Sequence, residues 1–222
     1  MYYPIQIPYV LNKTFAEYIV YSEENVSLFK DFIICLWEMQ PLSNEEKTVE
    51  NIIVTDGCID LVVDFYGKKI GFTGMSKTDF HFKICLPNYY MGVRFKPGAF
   101  YAITGIPANK VMDNFLPIDK INKNFDTGTF FSLKFSDAKI ALKNYIASLI
   151  ADKKPSKFMS LFEELNNDIP NSAIGVYEKL YYSHRQCQRL FSKNYGLSPQ
   201  MILCILRFQQ CLKILTSGVC YI

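Results

Sequence analysis

The chain has 222 residues, 50% of them hydrophobic and 15% aromatic, with 24 Lys/Arg against 21 Asp/Glu and a net charge of +3. That length can bury one core of moderate size and a small helical one, which points to a two-domain soluble protein. A membrane span is excluded, since the longest apolar runs, such as Phe32 to Trp37 and Met201 to Leu206, fall far short of the roughly 18 to 20 residues a spanning helix needs.

The opening residues, MYYPIQIPYVLNK, lack a basic start, a continuous apolar stretch and a small-residue cleavage site, so the expected location is the cytoplasm. Val26 to Trp37 fits a helix or a buried strand equally well. After it come Thr48 to Val54, Cys58 to Tyr66, Lys69 to Thr73, Asp79 to Leu86 and Tyr89 to Phe95, short segments rich in Val, Ile, Phe and Tyr. Asp-Gly, Gly-Lys-Lys, Thr-Gly-Met-Ser and Pro-Asn separate them, and these are turn formers, so the spacing predicts a sheet curling into a barrel. Gly98 to Ile106 reads as helix or loop.

Ser136-Asp137 opens a helix with Leu142, Tyr145, Ile146, Leu149 and Ile150 at three- and four-residue intervals, ending before Lys153-Lys154-Pro155. Ser156 starts another, Lys157 to Asn166. Asn171 or Ser172 can cap a short helix bearing Ile174, Val176, Tyr177 and Leu180, and Tyr181-Tyr182 then turns into Ser183. From there Ser183 can serve as N-cap, with Gln186 completing a capping box. Gly196 can take the left-handed conformation beyond the helix end, and Ser198-Pro199 caps and opens the next helix.

At about 100° per residue, Arg185, Gln188, Arg189 and Ser192 fall on one side of this helix, and Cys187, Leu190 and Phe191 on the other. An ordinary solvated face has the same spacing. The caps, the preceding short helix and the local charge favour a helix that reads DNA, since Arg pairs bidentately with guanine and Gln with adenine. Residues 171–222 carry six Lys/Arg against Glu178 alone, or +5, while the remaining 170 residues carry −2. A positive module on a near-neutral body suits phosphate attraction.

The run SHRQCQRLFSKNYGLSPQMILCILRFQQCLKIL resembles the first helix-turn-helix and long connecting helix of AraC/XylS-type transcription regulators, in the Ser at the turn, the Gln-Arg-Leu-Phe stretch, the Gly-Leu-Ser-Pro corner and the Arg-Phe pair. TDGCIDLVVDF (Thr55 to Phe65) and GVRFKPGAF (Gly92 to Phe100) are similar to motifs of a sensor domain at the N-terminus of one branch of that family. The resemblance implies an α+β chain: a β-rich, cupin-like sensor over residues 1–135, a linker and dimerisation helix over 136–154, and part of an all-α helix-turn-helix DNA-binding module over 155–222. It implies double-stranded DNA and a small-molecule effector as partners, in a homodimer. Residues 184–194 become the recognition helix, with Arg185, Gln188 and Arg189 in the major groove, His184 beside them and Lys193 placed for phosphate. Such modules carry a second helix-turn-helix, whose first residues Gly218 to Ile222 resemble, so the expectation is a fragment.

Other chemistry has weaker claims. Seven cysteines include no CxxC; Cys35, Cys58 and Cys85 lie in apolar contexts, and Cys187, Cys204 and Cys211 on predicted packing faces, so buried, reduced thiols are expected. His81 and His184 are the two histidines, neither with a ligand partner at metal spacing, and no cofactor or metal is assigned. Asp56, Asp60 and Asp64 would share one strand face and are read as turn and surface structure rather than catalytic carboxylates. For an effector, Trp37, Tyr66, Phe72, Phe80, Tyr90, Phe95 and Tyr101 can line an apolar cavity with Arg94 as a charge for an anionic ligand; Trp37, Tyr66, Phe80, Tyr90 and Arg94 are the chosen set. The leading function is a ligand-responsive DNA-binding regulator and not an enzyme. The alternatives are a small-molecule or partner-binding module without full DNA-binding ability, and a barrel enzyme with a helical appendage.

Overall fold

The computed structural model of the chain describes residues 2–6, 13–74 and 80–217, the side chains of Lys13, Phe80 and His81 aside. Gly218 to Ile222, the segment similar to a second helix-turn-helix, lies outside them. The described residues form an N-terminal antiparallel sheet domain followed by a helical region, an α+β architecture. None of the described helices is long and apolar enough to cross a membrane.

Eight strands are described: β1 (Ile19–Glu24), β2 (Ile33–Pro41), β3 (Lys47–Ile53), β4 (Ile59–Asp64), β5 (Lys69–Gly74), β6 (Phe80–Leu86), β7 (Tyr90–Phe95) and β8 (Phe115–Pro117). Five of them are the Val/Ile/Phe/Tyr segments between turn formers. The stretch that read equally as helix or strand is divided: a 3-10 turn at Ser27–Phe29 leads into β2. The strands make two sheets, a six-stranded one ordered β1-β2-β7-β4-β5-β8 and a pair, β3-β6. Alternation on the large sheet gives it two different faces. Cys35, Trp37, Met39 and Tyr90 join Val49, Ile84 and Leu86 of the small sheet in one core. Leu36, Leu61, Val63, Val93 and Phe95 point the other way, into a core with the first three helices.

Those helices are α1 (Ala99–Thr104), α2 (Thr127–Ser132) and α3 (Phe135–Ile150). The inward face of α3 buries Ala138, Leu142 and Ile146 against the sheet. Lys139 pairs with Glu24 and Glu38 at 3.3 and 3.4 Å, and Lys143 with Glu24 at 2.6 Å, so ion pairs to β1 and β2 fasten the same helix. The bond from Lys143 holds the Glu24 carboxyl below its usual pKa.

Four more helices follow: α4 (Lys157–Asn167), α5 (Ala173–Leu180), α6 (His184–Tyr195) and α7 (Pro199–Thr216). They share a core with the first face of the sheet, where Phe162 meets Tyr2 edge-on at 4.9 Å between ring centres. Polar bonds seal the junction. The backbone amide of Tyr2 donates to Glu163, and buried Gln209 of α7 accepts from the Ile5 amide and donates to the Thr55 carbonyl.

Gly92 explains how the central strand pair closes under a large ring. It is paired with Trp37 across β2–β7, and a Cβ there would lie 2.3 Å from the indole and 2.8 Å from the Leu61 carbonyl oxygen. Gly92→Ala is expected to lower stability by about 1 to 3 kcal/mol through overpacking, read as a lower urea midpoint with Trp37, the single tryptophan, as the fluorescent probe.

Candidate nucleic-acid interface

The helix-turn-helix is built from local signals. Helix α5 ends on Tyr181 in the left-handed conformation at φ 53, and Tyr182 donates its amide to the Tyr177 carbonyl, which turns the chain back towards Ser183. Ser183 accepts from the Gln186 amide at 3.3 Å while the Gln186 side chain accepts from the Ser183 amide at 3.0 Å, a complete capping box that satisfies two free donors. At the other end Gly196 is left-handed at φ 80, and Ser198 caps α7 by accepting from Met201. The packing side of α6 buries Cys187, Phe191, Asn194 and Tyr195. Phe191 and Tyr195 meet Phe158 and Phe162 of α4 edge-on, and the Tyr195 hydroxyl donates to the Phe158 carbonyl at 2.5 Å.

Of the five residues assigned to DNA, His184, Arg185, Arg189 and Lys193 are exposed and Gln188 is half-buried. The Gln188 amide nitrogen lies 3.3 Å from the Tyr177 hydroxyl and 3.2 Å from His184 Nε2, so it is held at the edge of the face. Arg185 and Arg189 stand free of such anchors among the described contacts. Lys193 is exposed and also touches the sheet domain. Its ammonium lies 4.6 Å from the centre of the Tyr101 ring of α1, and neighbouring Ser192 accepts from Asn109 at 3.1 Å. A Cβ on Gly196 would meet Met112 at 2.5 Å. The C-terminal turn of α6 is therefore seated on residues 101–112 of the sheet domain. Periodicity along α6 cannot reveal these contacts, because they come from a segment some 80 residues earlier.

The residues assigned to an effector are not brought together as one cavity. Trp37, Tyr90 and Arg94 share a face of the large sheet. Tyr66 lies in the β4–β5 turn and is 76% exposed, because the strand ends at Asp64, whose carboxylate accepts from the Gly67 amide. Phe80 has its backbone in β6, and its side chain is outside the described residues. Phe72 and Phe95 pack on the opposite face with Phe100.

Arg94 is not a free cation awaiting an anion. It is 6% exposed and encircled by carboxylates, with Glu23 at 3.2 Å, Asp60 at 3.5 Å and Asp56 at 3.7 Å. The Tyr21 hydroxyl donates to Glu23 at 2.5 Å, Tyr3 also donates to Glu23, the Trp37 ring N–H donates to Asp60 at 2.9 Å, and the Tyr2 hydroxyl donates to the Asp56 carbonyl at 2.5 Å. Asp56 and Asp60 thus leave the surface role expected of them, while Asp64 keeps its turn role. The three were legible as a shared strand pattern, but their common partner Arg94 was not, since it arrives by register from β7.

Burial pushes the Asp60 carboxyl up to about 6, against the pull of Arg94 and with help from Asp56. Burial likewise lifts Cys35 to about 12 and holds the Cys58 thiol well up, so both are protonated at neutral pH. Cys187 is buried too, whereas Cys85, Cys204 and Cys211 are exposed, which corrects the expectation of packing thiols. In α7 the inward positions are Ile202, Leu203, Ile205, Leu206, Gln209 and Leu212, and Cys204 and Cys211 lie on the other side. Among the described residues no cluster of three His, Cys, Asp or Glu has metal-binding geometry.

Residues 27–117 match a family model described as a domain of unknown function (DUF6597). The match covers less than half of the chain and runs from the turn before β2 to the end of β8. The helix-turn-helix lies outside it. No curated protein and no solved structure matches the chain.

The raised Asp60 pKa sets a pH dependence. Between about pH 4 and 6 the folded chain keeps a proton on Asp60 that the unfolded chain has lost, so this residue makes stability fall as pH rises through that window and adds no slope above it. Asp60→Asn is expected to remove that fall, on the order of 3 kcal/mol, measured as the difference between wild-type and variant melting curves from pH 4 to 7.5. Parallel curves would show that Asp60 carries no such load.

Proposed function

We propose that the chain is a DNA-binding transcription regulator of the AraC/XylS kind, with α6 as its recognition helix and the sheet domain as its sensor. The observation that carries this reading is the doubly capped α5–turn–α6 unit, packed on one side by Cys187, Phe191 and Tyr195 and presenting Arg185 and Arg189 on the other. A helix so capped is rigid before it meets DNA, and its N-terminal residues are the ones a helix-turn-helix brings to base edges. The +5 charge of residues 171–222 supports attraction to phosphate.

In this reading an effector bound by the sheet domain shifts a balance between DNA-competent and incompetent arrangements, by as much as its affinities for the two differ. The seat of α6 on residues 101–112 gives the sensor a direct hold on the reading helix. The protein works in the cytoplasm as a homodimer, with the outward side of α3, where Ile140 is 59% exposed, as the pairing surface.

Arg189→Ala tests the assignment. Selection from a random duplex pool with the wild-type chain should enrich one sequence motif, and the variant should lose about 1 to 3 kcal/mol of discrimination at one base pair. Arg189 is exposed, so far-UV circular dichroism should be unchanged. Full specificity in the variant would show that this face does not read bases.

A further inference from the structure

The two ends of α6 are not equivalent. Its C-terminal turn is closed by the sheet domain through Asn109 on Ser192, Tyr101 under Lys193 and Met112 against Gly196. Its N-terminal turn is open, with His184, Arg185 and Gln186 all exposed. The N-terminal end is thus the one left clear of the sheet domain. Beside that end lies a basic strand of chain that the helix-turn-helix itself does not include.

Lys157, the first residue of α4, donates to the Tyr182 hydroxyl at 2.5 Å and sits 4.9 Å from the centre of that ring. Tyr182 immediately precedes Ser183, the N-cap of α6. Lys157 is thereby fastened next to the open end of the reading helix, and Lys153 and Lys154 precede it in the segment between α3 and α4. Pro155 keeps this segment extended, since a residue before proline is driven from the helical region. All three lysines are exposed, and no ion pair among the described residues takes up any of them; the one acid in the run is Asp152.

We propose that Lys153, Lys154 and Lys157 form a phosphate-binding shoulder that grips the backbone of duplex DNA beside the groove entered by α6. The proposal rests on the DNA-binding reading above and names the partner chemistry as the phosphodiester backbone, contacted without regard to base. With Arg185 and Arg189, the shoulder brings the cations at the open end to five. Lys193 lies at the other end of α6, over Tyr101, and is not counted among them.

Salt dependence distinguishes the shoulder from the reading face. Binding of the full chain to a fluorescein-labelled duplex carrying the selected motif, and to a scrambled duplex of equal length, would be followed by anisotropy from 50 to 200 mM NaCl. The Lys153→Gln/Lys154→Gln/Lys157→Gln variant should bind both duplexes more weakly by a similar factor. Its plot of log K against log salt should be shallower by about 2 to 3, at roughly 0.9 per phosphate contact. Lys154→Glu alone, at a position free of packing, should weaken both duplexes in the same direction, and Lys68→Gln/Lys69→Gln at the β4–β5 turn should leave the slope unchanged. An unaltered slope in the triple variant, with Arg189→Ala still losing specificity, overturns the shoulder and spares the regulator. An equal change in the Lys68/Lys69 variant also overturns it, as a mere effect of net charge. Absence of duplex binding by the wild-type chain overturns both, and so does lysine-dependent binding to phosphatidylserine vesicles in its place.

Discussion

A guanidinium taken out of water holds the two halves of this protein in register. Arg94 must be surrounded by carboxylates to remain in the sheet, because an unpaired buried charge costs several kcal/mol. Its partners come from β1, from the loop before β4 and from β4 itself. Those carboxylates and their loop are in turn held by Tyr2, Tyr3, Tyr21 and Trp37. The N-terminal residues bonded to this centre continue to Glu163 of α4 and Gln209 of α7. The position of the helical region against the sheet thus depends on a charge centre that belongs to the sheet.

The same dependence shapes α6. Local capping makes α6 a helix and sets where it starts and stops, but its usable surface is decided by what closes its far end. Residues 101–112 do that, and they follow directly on β7, the strand that carries Arg94. β7 and α1 thus connect the charge centre by chain to the segment that bears Tyr101 and Asn109.

Legibility in the sequence followed the range of the interactions. The turn formers around Cys58 to Tyr66 and Tyr89 to Phe95 marked strands almost to the residue, and Ser183, Gln186, Gly196 and Ser198-Pro199 marked the ends of α6 and the start of α7. Such signals act over three or four residues. β1 and β8 escaped notice: β1, IVYSEE, puts its apolar residues first and its charged ones last instead of alternating them, and β8 is three residues long. Cys204 and Cys211 looked like core positions because α7 is apolar on more than one side, so its composition does not say which stripe faces in.

What the sequence determined by itself was the α+β class, the strand segments and the capped helix pair with its two arginines, because period, turn chemistry and capping are written in neighbouring residues. Only the tertiary structure decided that Arg94 answers three aspartate and glutamate side chains rather than an open pocket, that Lys193 rests on Tyr101, and that Lys157 stands beside the open end of α6. Each of those is a contact between residues 25 to 92 positions apart. Burial and register create such contacts, and neither is a property of a local stretch of chain.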